Sequence, residues 1–399
     1  MNGDALPVTV TFGKTRNGYY GSFDSDALQV AGIPFSEARQ TGKHVHFVVK
    51  GDRSTSVFNG EERDDRIDGT FIENGLRAPL KGTFHLARAK APPPPVVEFR
   101  NVDFRNGDVK LGGTLLLPEG RGYHPAILLL HGSGPEGRFA NRWLAQQFAR
   151  AGFVALIFDK RGVGESTGDW KNAGFDALCG DAVAGIRLLQ SLADVDPQKV
   201  GIYGHSQGGT IAPLVAVGAG NLAFLIASAA GGSDPASIEE YSVGNSIGIS
   251  MLSLDEANDA RRFVHAIVDV AYRGAPRAKL DALAAKFKNR SWYFEPPPTD
   301  NFYWSFARRI AAYRPPKYWR QVKAPVLLLF GEKDERVPPV QSSRAIEAAL
   351  RLGNNHDVTL KMYPEADHTF SLRVTNGGWP RHVPGYATDT IEWAKAKTR

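Results

Sequence analysis

Much of what would tie a chain to a metal, a disulfide framework, a membrane or a nucleic acid is missing here. Cys179 is the single cysteine in 399 residues. One cysteine closes no intramolecular disulfide, and no cluster has metal-ligand spacing, so Cys179 reads as a small buried apolar residue of a helix. No apolar window reaches the length of a membrane span. No run of five or six like charges occurs. Lys+Arg 48 against Asp+Glu 42 gives +6, spread along the chain. That argues against a nucleic-acid surface and makes the excess a matter of solubility. No secretory signal and no internal repeat stand out, since Met1 to Leu6 run straight into a strand pattern. What remains, at 42% apolar and 23% charged, is ordinary globular composition. The length suits a large domain plus a smaller one.

The most informative stretch that is present runs from Gly201 to Thr210 and contains Gly204-x-Ser206-x-Gly208. Lys199–Tyr203 is a short apolar strand before it, and Thr210–Val217 an apolar helix after it. Strand, G-x-S-x-G and helix together predict a sharp turn that lifts a serine hydroxyl clear of the backbone at the top of a parallel sheet. The glycines are needed because side chains two residues either side would meet the neighbouring strand and helix.

In order, residues 1–89 read as a small all-β barrel or sandwich domain. Strands are expected at 8–12, 19–23, 44–49, 56–58, 66–72 and 80–86, with Asn17-Gly18, Asn59-Gly60 and Asn74-Gly75 as turns. His44 and His46 share a strand face, where a plain polar face is favoured over a metal pair. Lys90-Ala-Pro-Pro-Pro-Pro95 is a proline linker at 90–95, since such a run favours extended polyproline. Residues 96–399 then alternate strand and helix, which predicts a mostly parallel sheet with helices on both faces. The alternation breaks at about 233–322. That aromatic-rich insertion, with helices expected at 256–272 and 277–287, is a cap or lid over the strand ends.

A serine hydroxyl needs a base in reach, and the base needs an acid to fix its tautomer. In this architecture acid and base follow the serine at the ends of late strands. Asp334 follows the strand 326–330, and His368 follows the next strand in Ala366-Asp367-His368. Ser206, Asp334 and His368 are therefore the expected catalytic triad. Glu332, Glu335 and Asp367 are rivals placed less well, and His205 beside the serine suits packing or orienting. The oxyanion needs backbone donors: Gln207 N–H at the helix start, then Ser133 N–H as first choice and Gly132 N–H as second. His131 is expected to brace that loop. Asp159-Lys-Arg-Gly-Val-Gly-Glu-Ser166 lacks a phosphate-loop ending and reads as a turn supporting the site.

His131-Gly-Ser-Gly-Pro135, Asp159-x-Arg-Gly-Val-Gly-x-Ser166, Gly204-His-Ser-x-Gly-Gly209, Gly331-Glu-Lys-Asp334 and Asp367-His368 together resemble the bacterial α/β-hydrolase fold serine esterases related to the serine aminopeptidase (S33) and dienelactone-hydrolase branch. The resemblance covers about residues 96–399. It implies hydrolysis of carboxylic esters by Ser206, Asp334 and His368, without cofactor or metal. Members often carry a small β-rich N-terminal domain and many are exported. A periplasmic or secreted mature form is thus expected, with the cytoplasm as the alternative. The expected partner is a small-molecule ester of short or medium acyl chain, possibly aromatic, and a homodimer is left open. The rivals are an aminopeptidase or amidase, with Glu239-Glu240 holding an amine, a thioesterase, and a glycan- or partner-binding protein with secondary hydrolase activity.

Overall fold

The computed structural model describes residues 5–16, 18–50, 54–75, 79–89, 97–372 and 381–399. Asn17 and the proline run at 90–95 lie outside the described residues. The N-terminal part is one antiparallel sheet. Its strands are β1 (Thr9–Thr15), β2 (Gly18–Ser25), β3 (Val30–Thr41), β4 (His44–Lys50), β5 (Thr55–Arg63), β6 (Arg66–Asn74) and β7 (Leu80–Ala87), paired in chain order. Alternation gives the sheet one apolar face, with Val45, Phe47 and Val49 of β4 buried. Phe12 of β1 and Phe84 of β7 both meet Phe47, at ring-centroid distances of 5.3 and 6.0 Å. The sheet therefore curls around a phenylalanine cluster, but β1 and β7 do not pair among the described residues, so no closed barrel forms.

Two expectations change here. Strand β3 was not foreseen, because Pro34 and the polar run Ser36–Gln40 mask its alternation, and a register shift between Phe35 and Glu37 interrupts it. Asn59-Gly60 is not a turn. It lies mid-strand in β5 opposite Thr70 and Gly69, and the chain reverses at Asp64-Asp65. A Cβ on Gly60 would come within 2.9 Å of the Phe84 ring, so the glycine makes room for the core rather than for a turn. Tyr20 is exposed, while Phe47 and Phe58 stack at 4.5 Å inside the sheet. His46 bonds Asn59 Oδ1 through Nδ1 at 2.7 Å.

The second sheet has eight strands: β8 (Glu98–Asn106), β9 (Val109–Leu117), β10 (His124–Leu130), β11 (Val154–Phe158), β12 (Val195–His205), β13 (Phe224–Ser228), β14 (Val326–Gly331) and β15 (Val358–Tyr363). Their spatial order is β15-β14-β13-β12-β10-β11-β9-β8. Pairing is parallel from β15 to β11, and antiparallel for β11–β9 and β9–β8. Ala126–Leu130, β11, β13 and β14 are buried throughout, as a sheet covered on both faces demands. The covering helices are α1 (Arg142–Arg150), α2 (Phe175–Ser191) and α3 (Gln207–Ala219). The insertion follows as α4 (Pro235–Ser246), α5 (Leu254–Val268), α6 (Arg277–Phe287), α7 (Phe302–Ile310) and α8 (Pro315–Trp319). Helices α9 (Pro339–Leu352) and α10 (Tyr386–Lys397) complete the set. Helices α1 and α10 pack on one face around Phe148 and Ile391, and α2, α3 and α9 on the other around Ile186, Val215 and Ile346.

The N-terminal sheet packs against α1. Trp143 of α1 donates its indole N–H to Asp26 at 2.8 Å, and Gly32, at φ +60, leaves room for the Arg142 guanidinium. The insertion has its own core, built on Phe263, Phe287 and Trp292. Among the described residues no helix is long and apolar enough to cross a membrane.

Candidate active site

The site begins where β12 ends. Ser206 has φ 54 and ψ −114, a conformation that β-carbon sterics make costly for a non-glycine residue. Neighbouring bonds hold it there. Its N–H donates to Ser228 O at 2.9 Å, and its carbonyl accepts from Thr210 N–H at 2.8 Å, closing the first turn of α3. A Cβ on Gly204 would lie 2.4 Å from the Gly208 backbone, and one on Gly208 would lie 2.6 Å from His131 O. Backbone atoms cannot yield at such distances, so both positions of the motif require glycine.

His368 lies between the other two predicted residues. Its Nε2 is 2.9 Å from Ser206 Oγ, and its Nδ1 is 2.8 Å from Asp334 Oδ2. Asp334 and His368 are buried. The second carboxylate oxygen of Asp334 accepts the backbone N–H groups of Arg336 and Val337, each at 2.8 Å. With the acid so anchored, the proton on imidazole belongs on Nδ1, and Nε2 is left to accept the serine proton. The rivals point elsewhere. Glu332 accepts Glu365 N–H, and Asp367 folds its own turn by accepting Thr369 and Ser371 N–H. His205 is 3.3 Å from Ser228 Oγ through Nδ1, with its ring 5.0 Å from that of His368.

The predicted oxyanion donors part company. Gln207 opens α3, where its N–H has no acceptor within the helix. Ser133 is exposed in the loop after β10. Gly132, by contrast, donates its N–H to Glu136 Oε2 at 2.6 Å, so that donor is taken. Glu136 was missed in the sequence because nothing local marks a carboxylate that folds back four residues. His131 is buried and ties the end of β10 to Phe158 O at the end of β11. Burial, aided by the Lys160 charge, lowers its pKa to about 3, so the ring is neutral at pH 7. The Asp159–Ser166 turn supports this loop. Buried Asp159 pairs with Arg138 at 2.7 Å and is kept below the usual carboxylate range: burial pushes it up, but the Arg138 bonds outweigh that. Burial also raises the Cys179 thiol to about 11, consistent with an inert core residue.

Sheet order, elbow and Ser–His–Asp geometry together define an α/β-hydrolase. The profile of the serine aminopeptidase S33 family matches residues 123–372, and the chain belongs to that family. Among curated relatives it is 33% identical over 110 residues to the quorum-quenching protein AidA of Acinetobacter baumannii, covering 27% of this chain and 36% of that one. It is 25% identical over 255 residues to the uncharacterized peptidase YtmA of Bacillus subtilis, covering 64% and 80%. The match with AidA thus spans about a third of that protein's length. Among solved structures, a hypothetical protein from Pseudomonas aeruginosa shares the fold with a TM-score of 0.52 and 18% identity, over 77% of this chain and 95% of that one.

Proposed function

We propose that this protein hydrolyses carboxylic esters through an acyl-enzyme on Ser206. The observation that carries the reading is the placement of His368 between Ser206 Oγ and Asp334 Oδ2. Ser206 Oγ attacks the ester carbonyl carbon while its proton passes to His368 Nε2. Asp334 holds the ring and stabilises the imidazolium. The N–H groups of Gln207 and Ser133 receive the oxyanion. Collapse expels the alcohol, protonated by His368, and water repeats the sequence to free the acid. Residues 233–322 are the cap, residues 96–399 the hydrolase unit, and residues 1–89 a separate β domain joined through 90–95.

A specific observation bears on the peptidase reading, which the name of YtmA also suggests. Glu239 of α4 is half-buried and accepts the Tyr303 hydroxyl at 3.0 Å. A carboxylate there is the natural anchor for a substrate amine. Burial, however, raises its pKa, which makes it a weaker anchor for a cation than a solvated carboxylate. An amide also needs its leaving amine protonated, whereas an alcohol leaves more readily. Esters therefore come first. The test is a chain-length series of p-nitrophenyl esters beside aminoacyl p-nitroanilides, with Ser206→Ala as control. Ester turnover that exceeds anilide turnover and vanishes in the control supports the reading. Anilide turnover that exceeds ester turnover reverses it.

A further inference from the structure

Lys160 is a lysine in an unusual place. Its residue is 3% exposed, in the loop that follows β11. Burying an ammonium is costly unless its protons are bound, and two of the three are held by backbone carbonyls. Nζ donates to Gly132 O at 2.5 Å and to Gly134 O at 2.7 Å. Both acceptors belong to the loop after β10. The first has a particular meaning, because the Gly132 carbonyl and the Ser133 N–H are two ends of one peptide group. In a planar trans peptide they point in opposite directions. Turning the oxygen inward to Lys160 turns the Ser133 N–H outward, on a residue that is exposed. A cation on the carbonyl oxygen also draws electron density through the amide, which makes its N–H a stronger donor. On the preceding peptide, the Gly132 N–H is committed to Glu136 at 2.6 Å. The loop is thus held from both sides, by Glu136 on one peptide and Lys160 on the next.

We propose that Lys160 is a positioning residue for the oxyanion hole: it orients and polarises the Gly132–Ser133 peptide so that the Ser133 N–H is the loop's donor. The inference rests on the acyl-enzyme reading, which Ser206→Ala tests by itself. Lys160 does not touch the substrate. Its effect is confined to the stage at which the carbonyl oxygen carries charge, so it belongs to kcat and not to ground-state binding.

The experiment compares Lys160→Met, Lys160→Arg and the unaltered protein on p-nitrophenyl butyrate. It also measures inhibition by an alkyl trifluoromethyl ketone, which forms an oxyanion with the serine, and by the matching ether, which cannot. Lys160→Met is expected to lose about 10- to 100-fold in kcat, short of the roughly 100- to 1,000-fold seen when an oxyanion donor is removed outright. KM should stay within about twofold, ketone affinity should fall in step with kcat, and ether affinity should hold. Lys160→Arg, which keeps two donors, should recover part of the loss. Lys160→Gln, which keeps one, serves the same comparison if the methionine variant does not fold. Unchanged kcat, or a loss of kcat with ketone affinity intact, overturns the proposal while leaving Ser206 as nucleophile. Ester turnover that survives Ser206→Ala removes the reading beneath it.

Discussion

The Tyr241 hydroxyl of α4 donates to the backbone carbonyl of Asp334 across 2.8 Å. This bond joins the helical insertion to the loop that carries the acid. One turn along α4, the Asn245 side-chain amide repeats the link by donating to Glu335 O at 3.0 Å. The insertion is in this way part of what holds Asp334 in register with His368.

Tyr241→Phe removes one neutral hydrogen bond, a net contribution of about 1 kcal/mol. The expected result is a several-fold fall in kcat on p-nitrophenyl esters with the fold retained. A fall in melting temperature with kcat untouched would show that the bond serves the insertion alone.

Asp334→Asn keeps the shape of the site. Its amide nitrogen, placed toward His368 Nδ1, would favour the wrong tautomer and deny Nε2 its lone pair. A loss of about 10⁴-fold in kcat is expected, with the melting temperature little changed. Near-normal turnover would transfer the acid's role to another carboxylate.

Ser206→Gly should abolish turnover and yet stabilise the protein. A serine at φ 54 and ψ −114 carries strain of about 1–3 kcal/mol. Glycine tolerates positive φ but gives back up to about 1 kcal/mol through its freer unfolded chain. A net gain of about 1 kcal/mol in urea denaturation is the expectation. A loss of stability would mean that the elbow is not strained.

His131 sets a pH dependence of stability. Burial drops its pKa from 6.5 to about 3 in the folded protein. Between those values the unfolded chain binds the extra proton, so stability is full above about pH 6.5 and falls as the pH drops toward 3. The slope from this residue is about 1.4 kcal/mol per pH unit. Urea titrations from pH 7 to 4 should show a shallower decline for His131→Gln than for the unaltered protein. Parallel declines would place the acid sensitivity elsewhere.

The readable parts of this chain are those whose physics is local. The elbow announces itself because steric limits at Gly204 and Gly208 leave only one residue type. Asp334 and His368 could be placed because each follows a strand by a few residues, a continuous apolar one before Asp334 and the alternating Val358–Tyr363 before His368. Both expected helices of the insertion are present, but α5 begins at Leu254 and passes into a π-helical turn at Asp269–Arg273. Helices α4 and α7 were not expected: the apolar residues of α4 follow no clear helical period, and the helical spacing of Phe302, Phe306 and Ile310 in α7 runs for only nine residues. The contacts that brace the site span long separations. Tyr203 and Tyr386 share a hydrogen bond at 2.6 Å although 183 residues part them. Lys160 reads only as part of a turn supporting the site, and its burial depends on where the loop after β10 runs. Periodicity and motif spacing carry no information about such pairings.

The central claim is that Ser206 forms a covalent intermediate activated by His368. Its most direct test is intact-protein and peptide mass spectrometry after reaction with a p-nitrophenyl alkylphosphonate. The account predicts one phosphonyl group per chain, on the peptide bearing Ser206, absent in Ser206→Ala and formed far more slowly in His368→Ala. A label on another residue, or none while ester hydrolysis proceeds, would contradict it.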